Sequence, residues 1–343
     1  MGNMVYNVND SATQVLAAKQ VKENIFLDLV HKDGYGVTQQ EETNVSTLRI
    51  FKVRPITDDA RQIGASSNGS WFNGGNIGTA NVVEYDLNLL YIYDKCLDIP
   101  EVQEDLVPVS VMDNTTKNIG GRVATEINAS TLAVQLAAKY NAAKTAGKWD
   151  GEAVVMDEEG NAYTAVQKAS ELLDNGDEAN GIQSFPFAER QILMRPSFRT
   201  SLLSAKGVLL GGSNYAQSML AKGAVSPEAR KEWGNMYCGE IDNTPCYIVP
   251  DPLWNRAGAW VGDGAAFAGT EAIVCAASAT DRGISTQDYI KIVDSPNGAG
   301  KRLQPKTRWG INVAYPKGIV AILKNGTALA GSALSVLAVG SKA

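Results

Sequence analysis

STLRIFKVR (Ser46–Arg54) and NVVEYDLNLLYIY (Asn81–Tyr93) flank DDARQIGASSNGSWFNGGNIGTA (Asp58–Ala80), and these three segments decide the architecture. The first alternates Leu48, Ile50 and Lys52 against Arg49, Phe51 and Val53 and stops at Pro55; the second is dense in β-branched and aromatic residues. Both patterns belong to strands. The tract between them is crowded with Gly and Asn, so the whole reads as a long antiparallel ribbon with a Gly/Asn-rich tip. A lone two-stranded hairpin is marginal in water, and nothing in this ribbon supplies a core of its own. It has to rest on something else, and if it projects from the body that something is another chain.

Trp71 and Phe72 stand at the apex, between Ser70 and Asn73-Gly74-Gly75. Two aromatics on a glycine-rich loop have no ready burial within their own ribbon. One reading folds the tip back on itself. The other makes Trp71 and Phe72 anchors in a neighbouring subunit, where Trp is a frequent hot spot, with Arg54 and Arg61 close by to meet acidic groups.

Outward from the ribbon, the N-terminal side reads as an arm and a helix. Ser11 and Gln14 form a capping box, Val15, Ala18, Val21, Ile25 and Leu29 follow at helical spacing, and Asp33-Gly34-Tyr35-Gly36 ends the helix. On the other side a long helix is expected between Glu101 and Gly147. Ile119, Val123, Ile127, Ser130, Val134 and Ala138 mark one helical face, and Lys117, Arg122, Glu126, Lys139 and Lys144 read as a solvated or interface-facing stripe. Gly120-Gly121 weaken it, by about 1 kcal/mol each relative to Ala. Short elements then alternate. Strands are expected at Val154–Met156, Arg190–Met194, Cys246–Pro250, Ala272–Ala277 and Tyr289–Val293. Helices are expected from Ala162 to the Asn175-Gly176 stop, over Pro196–Leu203, Asn214–Lys222 and Ser226–Trp233. TRWGINVAY and IVAILK, joined by Pro316-Lys317-Gly318, read as a closing hairpin.

The 343 residues exceed the roughly 250–300 at which one core stops growing, so at least two subdomains are expected. Hydrophobic residues at 44% suffice for packed cores, whereas 37 acids against 31 bases, a net charge of −6, argue against a sequence-reading nucleic-acid binder. MGNMVYNVND lacks the basic-then-apolar order of a secretory signal, and Tyr6 fails the myristoylation pattern. Ala328–Gly340 is too short to span a bilayer, which takes about 20 residues, so no membrane partner is expected. Cys96, Cys238, Cys246 and Cys275 show neither C-x-x-C nor framework spacing and read as reduced thiols.

Candidate chemistry fails motif by motif. His31, the single histidine, sits at a helix C-terminus, where the dipole favours it, and one His with scattered Cys makes no zinc site. NGAGKR (Asn297–Arg302) has Ser295 and Arg302 where a phosphate loop needs Gly and Ser/Thr, so it reads as an exposed turn. GDGAAFAG (Gly262–Gly269) lacks dinucleotide spacing, and DNGDEANG (Asp174–Gly181) has Ala179 where a calcium loop needs Gly. No catalytic residue, cofactor or metal is expected.

The order of arm, ribbon, long helix, α/β region and late strands resembles the major capsid protein of tailed bacteriophages, the Hong Kong 97-type capsid fold. GIQSFPFAERQILMRPSFRTSLLS (Gly181–Ser204), YCGEIDNTPCYIVPDPLW (Tyr237–Trp254) and TRWGINVAYPKGIVAIL (Thr307–Leu323) are similar to passages of that family. The resemblance implies an α+β chain with an N-terminal arm at 1–44 and an extended β-hairpin E-loop at 45–98. A spine-helix P-domain at 99–150, an A-domain at 151–296, and P-domain return strands with a tail at 297–343 complete it. It implies a structural protein rather than an enzyme. Copies of itself assemble as hexamers and pentamers into an icosahedral shell around double-stranded DNA, in the virion and, during assembly, the host cytoplasm. Separate scaffolding, portal and decoration proteins are partners, and DNA is met through non-specific contacts, with Lys139 and Lys144 facing phosphate. Gly34, Gly36, Gly74 and Gly75 would be hinges between non-equivalent neighbours. The family's Lys–Asn cross-link is not expected, because Ile63–Thr79 contains no Lys. Two alternatives stand beside it: an encapsulin-like nanocompartment shell, and an α/β ligand-binding protein or enzyme using Asp150–Pro296.

Overall fold

A computed structural model describes residues 16–17, 19, 47–53, 82–93, 95–100, 111–139, 153–156, 162–204, 236–242, 244–261, 269–285, 290–296, 298, 300–305 and 307–324. The longest element is α1 (Val111–Lys139), 29 residues or about 44 Å at the helical rise. Its N-terminal half buries Ile119, Val123, Ala124 and Ile127 in one apolar cluster with Ile99, Leu303, Trp309 and Ala17 of the N-terminal helical residues. Its C-terminal half buries Ala129, Leu132, Ala133 and Leu136 in a second, larger cluster. One continuous helix therefore enters both cores.

The larger core lies on a mixed six-stranded sheet of order β5-β14-β9-β6-β8-β7. It comprises β5 (Val154–Val155), β6 (Arg190–Met194), β7 (Tyr237–Ile241), β8 (Thr244–Ile248), β9 (Thr270–Ala276) and β14 (Ile319–Leu323). Every residue of RQILM in β6 and IVAIL in β14 is buried, as runs covered on both faces require. Helices α2 (Ala162–Asp174), α3 (Pro196–Ser204) and α4 (Asp251–Val261) supply Val166, Phe198 and Trp254. The smaller core is framed by two three-stranded sheets. In one, β10 (Thr280–Ser285), β13 (Thr307–Val313) and β3 (Tyr91–Tyr93) pair; in the other, β11 (Ile290–Asp294), β12 (Gly300–Pro305) and β4 (Leu97–Pro100).

The ribbon strands β1 (Thr47–Val53) and β2 (Val82–Asn88) pair antiparallel in a sheet of their own, from Thr47 opposite Asn88 to Val53 opposite Val82. The NVVEYDLNLLYIY strand is thus two strands with a break at Leu89-Leu90. Leu90 N–H donates to the Asn88 carbonyl (3.0 Å), tightening the chain where the ribbon meets the body. Leu87 and Leu89 are buried there.

Several expectations need correction. TRWGINVAY and IVAILK do not form a hairpin. β13 pairs with β10 and β3, whereas β14 pairs with β9 and β5. The Pro316–Gly318 turn is 3₁₀ and carries the chain between sheets, anchored as Ala314 and Tyr315 N–H donate to the Ala279 carbonyl (2.8 and 3.2 Å). NGAGKR is not all turn, because β12 begins at Gly300 and Arg302 forms a two-pronged ion pair with Asp98 (2.5 and 2.8 Å). Helix α4 was not foreseen, although Asp251 and Pro252 suit a first turn. Asn214–Lys222 and Ser226–Trp233 lie outside the described residues.

Two glycines separate steric need from helix cost. A Cβ on Gly310 would collide with the Asn88 carbonyl, so β13 requires glycine for β2 to cross it, whereas a Cβ on Gly121 of α1 meets nothing within 4 Å. Gly310→Ala is expected to lower stability by about 2 kcal/mol through overpacking, and Gly121→Ala to raise it by about 1 kcal/mol through helix propensity. Denaturant melts of the two variants against the parent check both signs.

Candidate functional site

The residues expected to contact neighbours or to hinge, Arg54, Arg61, Trp71, Phe72, Gly34, Gly36, Gly74 and Gly75, lie outside the described residues, as do His31 and Lys144. What is described is the seam where α1 passes from one core to the other, and there the sequence reading is overturned. Glu126, assigned to a solvated stripe, is 3% exposed, and Lys139, assigned to face phosphate, is 2% exposed. Ala138, assigned to the buried face, is exposed. From Glu126 to Leu136 every residue except Val134 is buried, because the two cores enclose the helix between them.

A carboxylate in that position needs partners, since an isolated buried charge is far too costly. Glu126 has them from two helices. Arg256 of α4 approaches side-on, with Nε 3.1 Å from Oε2 and Nη2 2.9 Å from Oε1. Trp260 Nε1 donates to Oε2 at 3.2 Å, and Arg122, one turn back on α1, reaches Oε1 at 3.1 Å. Trp260 touches both apolar clusters and meets Tyr91 edge-to-face at 5.1 Å and Trp309 at 6.5 Å. Three further side-chain hydrogen bonds tie the helix in. Trp309 Nε1 donates to Ser130 Oγ (2.8 Å), Thr131 Oγ1 to the Ile127 carbonyl (2.7 Å), and Gln135 Nε2 to Thr280 Oγ1 (3.0 Å). No sequence motif marks Arg256 or Trp260; they meet Glu126 only through tertiary structure.

Two other buried charges, Arg190 and Asp177, serve loops. Arg190, fully buried, donates from Nε and Nη2 to the Phe185 carbonyl (2.9 and 2.5 Å) and pairs with Asp174 (2.5 Å) under the Phe187 ring. Asp177 of the DNGDEANG tract accepts from Asn180 Nδ2 at 2.6 Å and lies 3.8 Å from Lys317. Among the described residues no group of three or more His, Cys, Asp or Glu could hold a metal, and no helix is long and apolar enough to cross a membrane.

The three buried thiols are unsuited to nucleophilic work, which needs thiolate. Burial pushes Cys238 up to about 11 and Cys275 up to about 12, and holds Cys246 well above its ordinary 9.0. Only Cys96 is exposed.

No protein-family model matches the sequence, and no curated protein matches it. Solved structures do. A chain of Mycobacterium phage Che8 superposes with a TM-score of 0.52 over 87% of this chain and 90% of its own, at 12% identity. A chain of the bacteriophage PhiM1 mature capsid asymmetric unit gives 0.51 over 82% and 83%, at 13% identity. The capsid of Ralstonia phage GP4 gives 0.53 over 86% and 87%, at 10% identity.

Two outcomes test this account of the interior. Glu126→Gln leaves two guanidiniums without their carboxylate; because both are about half exposed, the loss is expected near about 2 kcal/mol, below the value for a fully buried pair, read from urea unfolding. A thiol reagent at about pH 8 should label Cys96 in the folded protein and all four thiols after unfolding. Burial raises the Cys238 value on folding, so its neutral form contributes stability in full below 9.0. That contribution fades as pH climbs through about 11.

At identities this low the likeness is one of backbone architecture, and the architecture that the PhiM1 and GP4 capsid chains share with this one is the α+β Hong Kong 97-type capsid fold.

Proposed function

We propose that the chain is the major capsid subunit of a tailed bacteriophage, a structural protein that assembles with copies of itself as hexamers and pentamers into an icosahedral shell around double-stranded DNA. The observation that carries this reading is the likeness to the PhiM1 and GP4 capsid chains over more than four-fifths of its length. The ribbon adds support. β1 and β2 pair with each other in a two-stranded sheet, separate from the sheets of both cores.

In this reading residues 1–44 form the arm, 45–98 the E-loop, and 99–150 the spine. Residues 151–296 form the A-domain, and 297–343 the return strands and tail. Trp71 and Phe72, with Arg54 and Arg61, contact a neighbouring subunit, and Gly34, Gly36, Gly74 and Gly75 let one sequence fit non-equivalent neighbours. Scaffolding, portal and decoration proteins are separate chains, and DNA is met without sequence preference. Assembly takes place in the host cytoplasm.

Electron microscopy of the purified recombinant protein is expected to show closed shells, and Trp71→Ala with Phe72→Ala to yield folded protein that no longer closes them. A compact solitary species in sedimentation at high concentration would overturn the reading. Shells that load an enzyme cargo in place of DNA would transfer it to an encapsulin-like compartment.

A further inference from the structure

The seam carries more positive charge than its interior uses. Arg122 and Arg256 share the single carboxylate of Glu126, to which they contribute only Arg122 Nη2 and Arg256 Nε and Nη2. Both side chains are about half exposed, 52% and 46%, while Glu126 beneath them is 5% exposed. The outer N–H groups of two guanidiniums, held on separate helices by one buried anchor, thus face outward with a net charge of +1. Small residues flank them: Gly121 and Thr125 beside Arg122 on α1, Ala259 one turn from Arg256 on α4. Gly121 has open space where a Cβ would stand, so no contact among the described residues requires a glycine there.

We propose that this Arg122–Arg256 pair is a docking site for an Asp or Glu side chain of a second copy of the chain; the proposal rests on the self-assembly reading above. A planar guanidinium pre-oriented by one carboxylate loses little freedom on engaging another, and it suits two-pronged carboxylate recognition. The chain itself is rich in the complementary group, with 37 Asp and Glu against 31 Lys and Arg. Nucleic-acid phosphate fits less well. Tracking a backbone takes a row of cations, whereas the exposed positions of α1 before Arg122 are Asp113, Asn114, Lys117 and Asn118. The pair is a point contact on an otherwise mixed surface.

The test uses the full chain, assembled without DNA, with light scattering to follow the concentration at half-assembly. Arg122→Gln leaves Glu126 with Arg256 and Trp260 and is expected to raise that concentration about tenfold, as losing one well-placed charge contact does. Arg122→Lys should recover part of the loss, and Lys117→Gln, which removes equal charge from the same helix, should change it less than about twofold. A benzophenone amino acid at Asn118, one turn away, is expected to cross-link to an Asp- or Glu-bearing peptide of another copy. Equal effects of Arg122→Gln and Lys117→Gln, an Arg122→Gln defect seen only with DNA present, or cross-links confined to the same chain would each overturn the site. Should Arg122→Gln fail to fold, the cross-link decides alone. If the parent forms shells and Arg122→Gln forms them as readily, only the docking site falls. If the parent never associates, the shell reading falls and takes the site with it.

Discussion

A carboxylate buried midway along a 29-residue helix is the constraint around which this molecule is organised. Glu126 separates the part of α1 that packs with Ile99, Leu303 and Trp309 from the part that packs with the six-stranded sheet. Its charge cannot stay unpaired there, so α4 has to lie where Arg256 and Trp260 reach it. The relative setting of the two cores is thereby specified by directional bonds. Apolar burial alone would tolerate sliding of α4 along α1, because many positions bury similar area. A side-on guanidinium with an indole N–H on the same carboxylate admits far fewer. Arg122, on α1 itself, balances charge without adding to that specification.

The same logic explains why chain order and spatial order diverge. β10, β11, β12 and β13 complete the smaller core with β3 and β4, which precede α1, and the chain then returns through Pro316–Gly318 so that β14 enters the larger sheet between β5 and β9. Each core contains strands from distant parts of the sequence, and α1 runs through both. Neither core closes until late strands arrive, so a large share of the stabilising contacts is long-range, and loop closure precedes the reward.

What could be read from the sequence follows from this. Patterns that depend on a single neighbour were legible: the period-two ribbon pairing of β1 and β2, the buried strands β6 and β14, and the Asn175-Gly176 helix stop, where Gly176 adopts φ +62°. Patterns that depend on being surrounded were not. A helical projection divides a helix into a wet and a dry side, but the C-terminal half of α1 has almost no wet side, so Glu126 and Lys139 were assigned to solvent. The partners that make Glu126 tolerable stand 130 and 134 residues away. The supposed closing hairpin failed for a related reason. Pro-Lys-Gly marks a turn but not the sheet the chain enters afterwards, and that destination is set by Gly318 lying against Phe185 and Ala279. The ribbon tip, where the contact residues were expected, lies outside the described residues, so Trp71 and Phe72 rest on sequence reasoning alone.

Rigidity of the body and independence of the ribbon are complementary consequences of one design. The seam joins two cores into a body through α1, α4 and the Glu126 cluster, while the ribbon attaches through a narrow root at Leu87–Leu90, where Gly310 allows β2 to cross β13. In the capsid reading proposed above, a subunit that meets neighbours at more than one angle benefits from that division. Low sequence identity with other chains of this fold is compatible with that arrangement. In this chain the fold rests on buried strands, a long helix entered by two cores and a ribbon root, each of which many different side chains can provide.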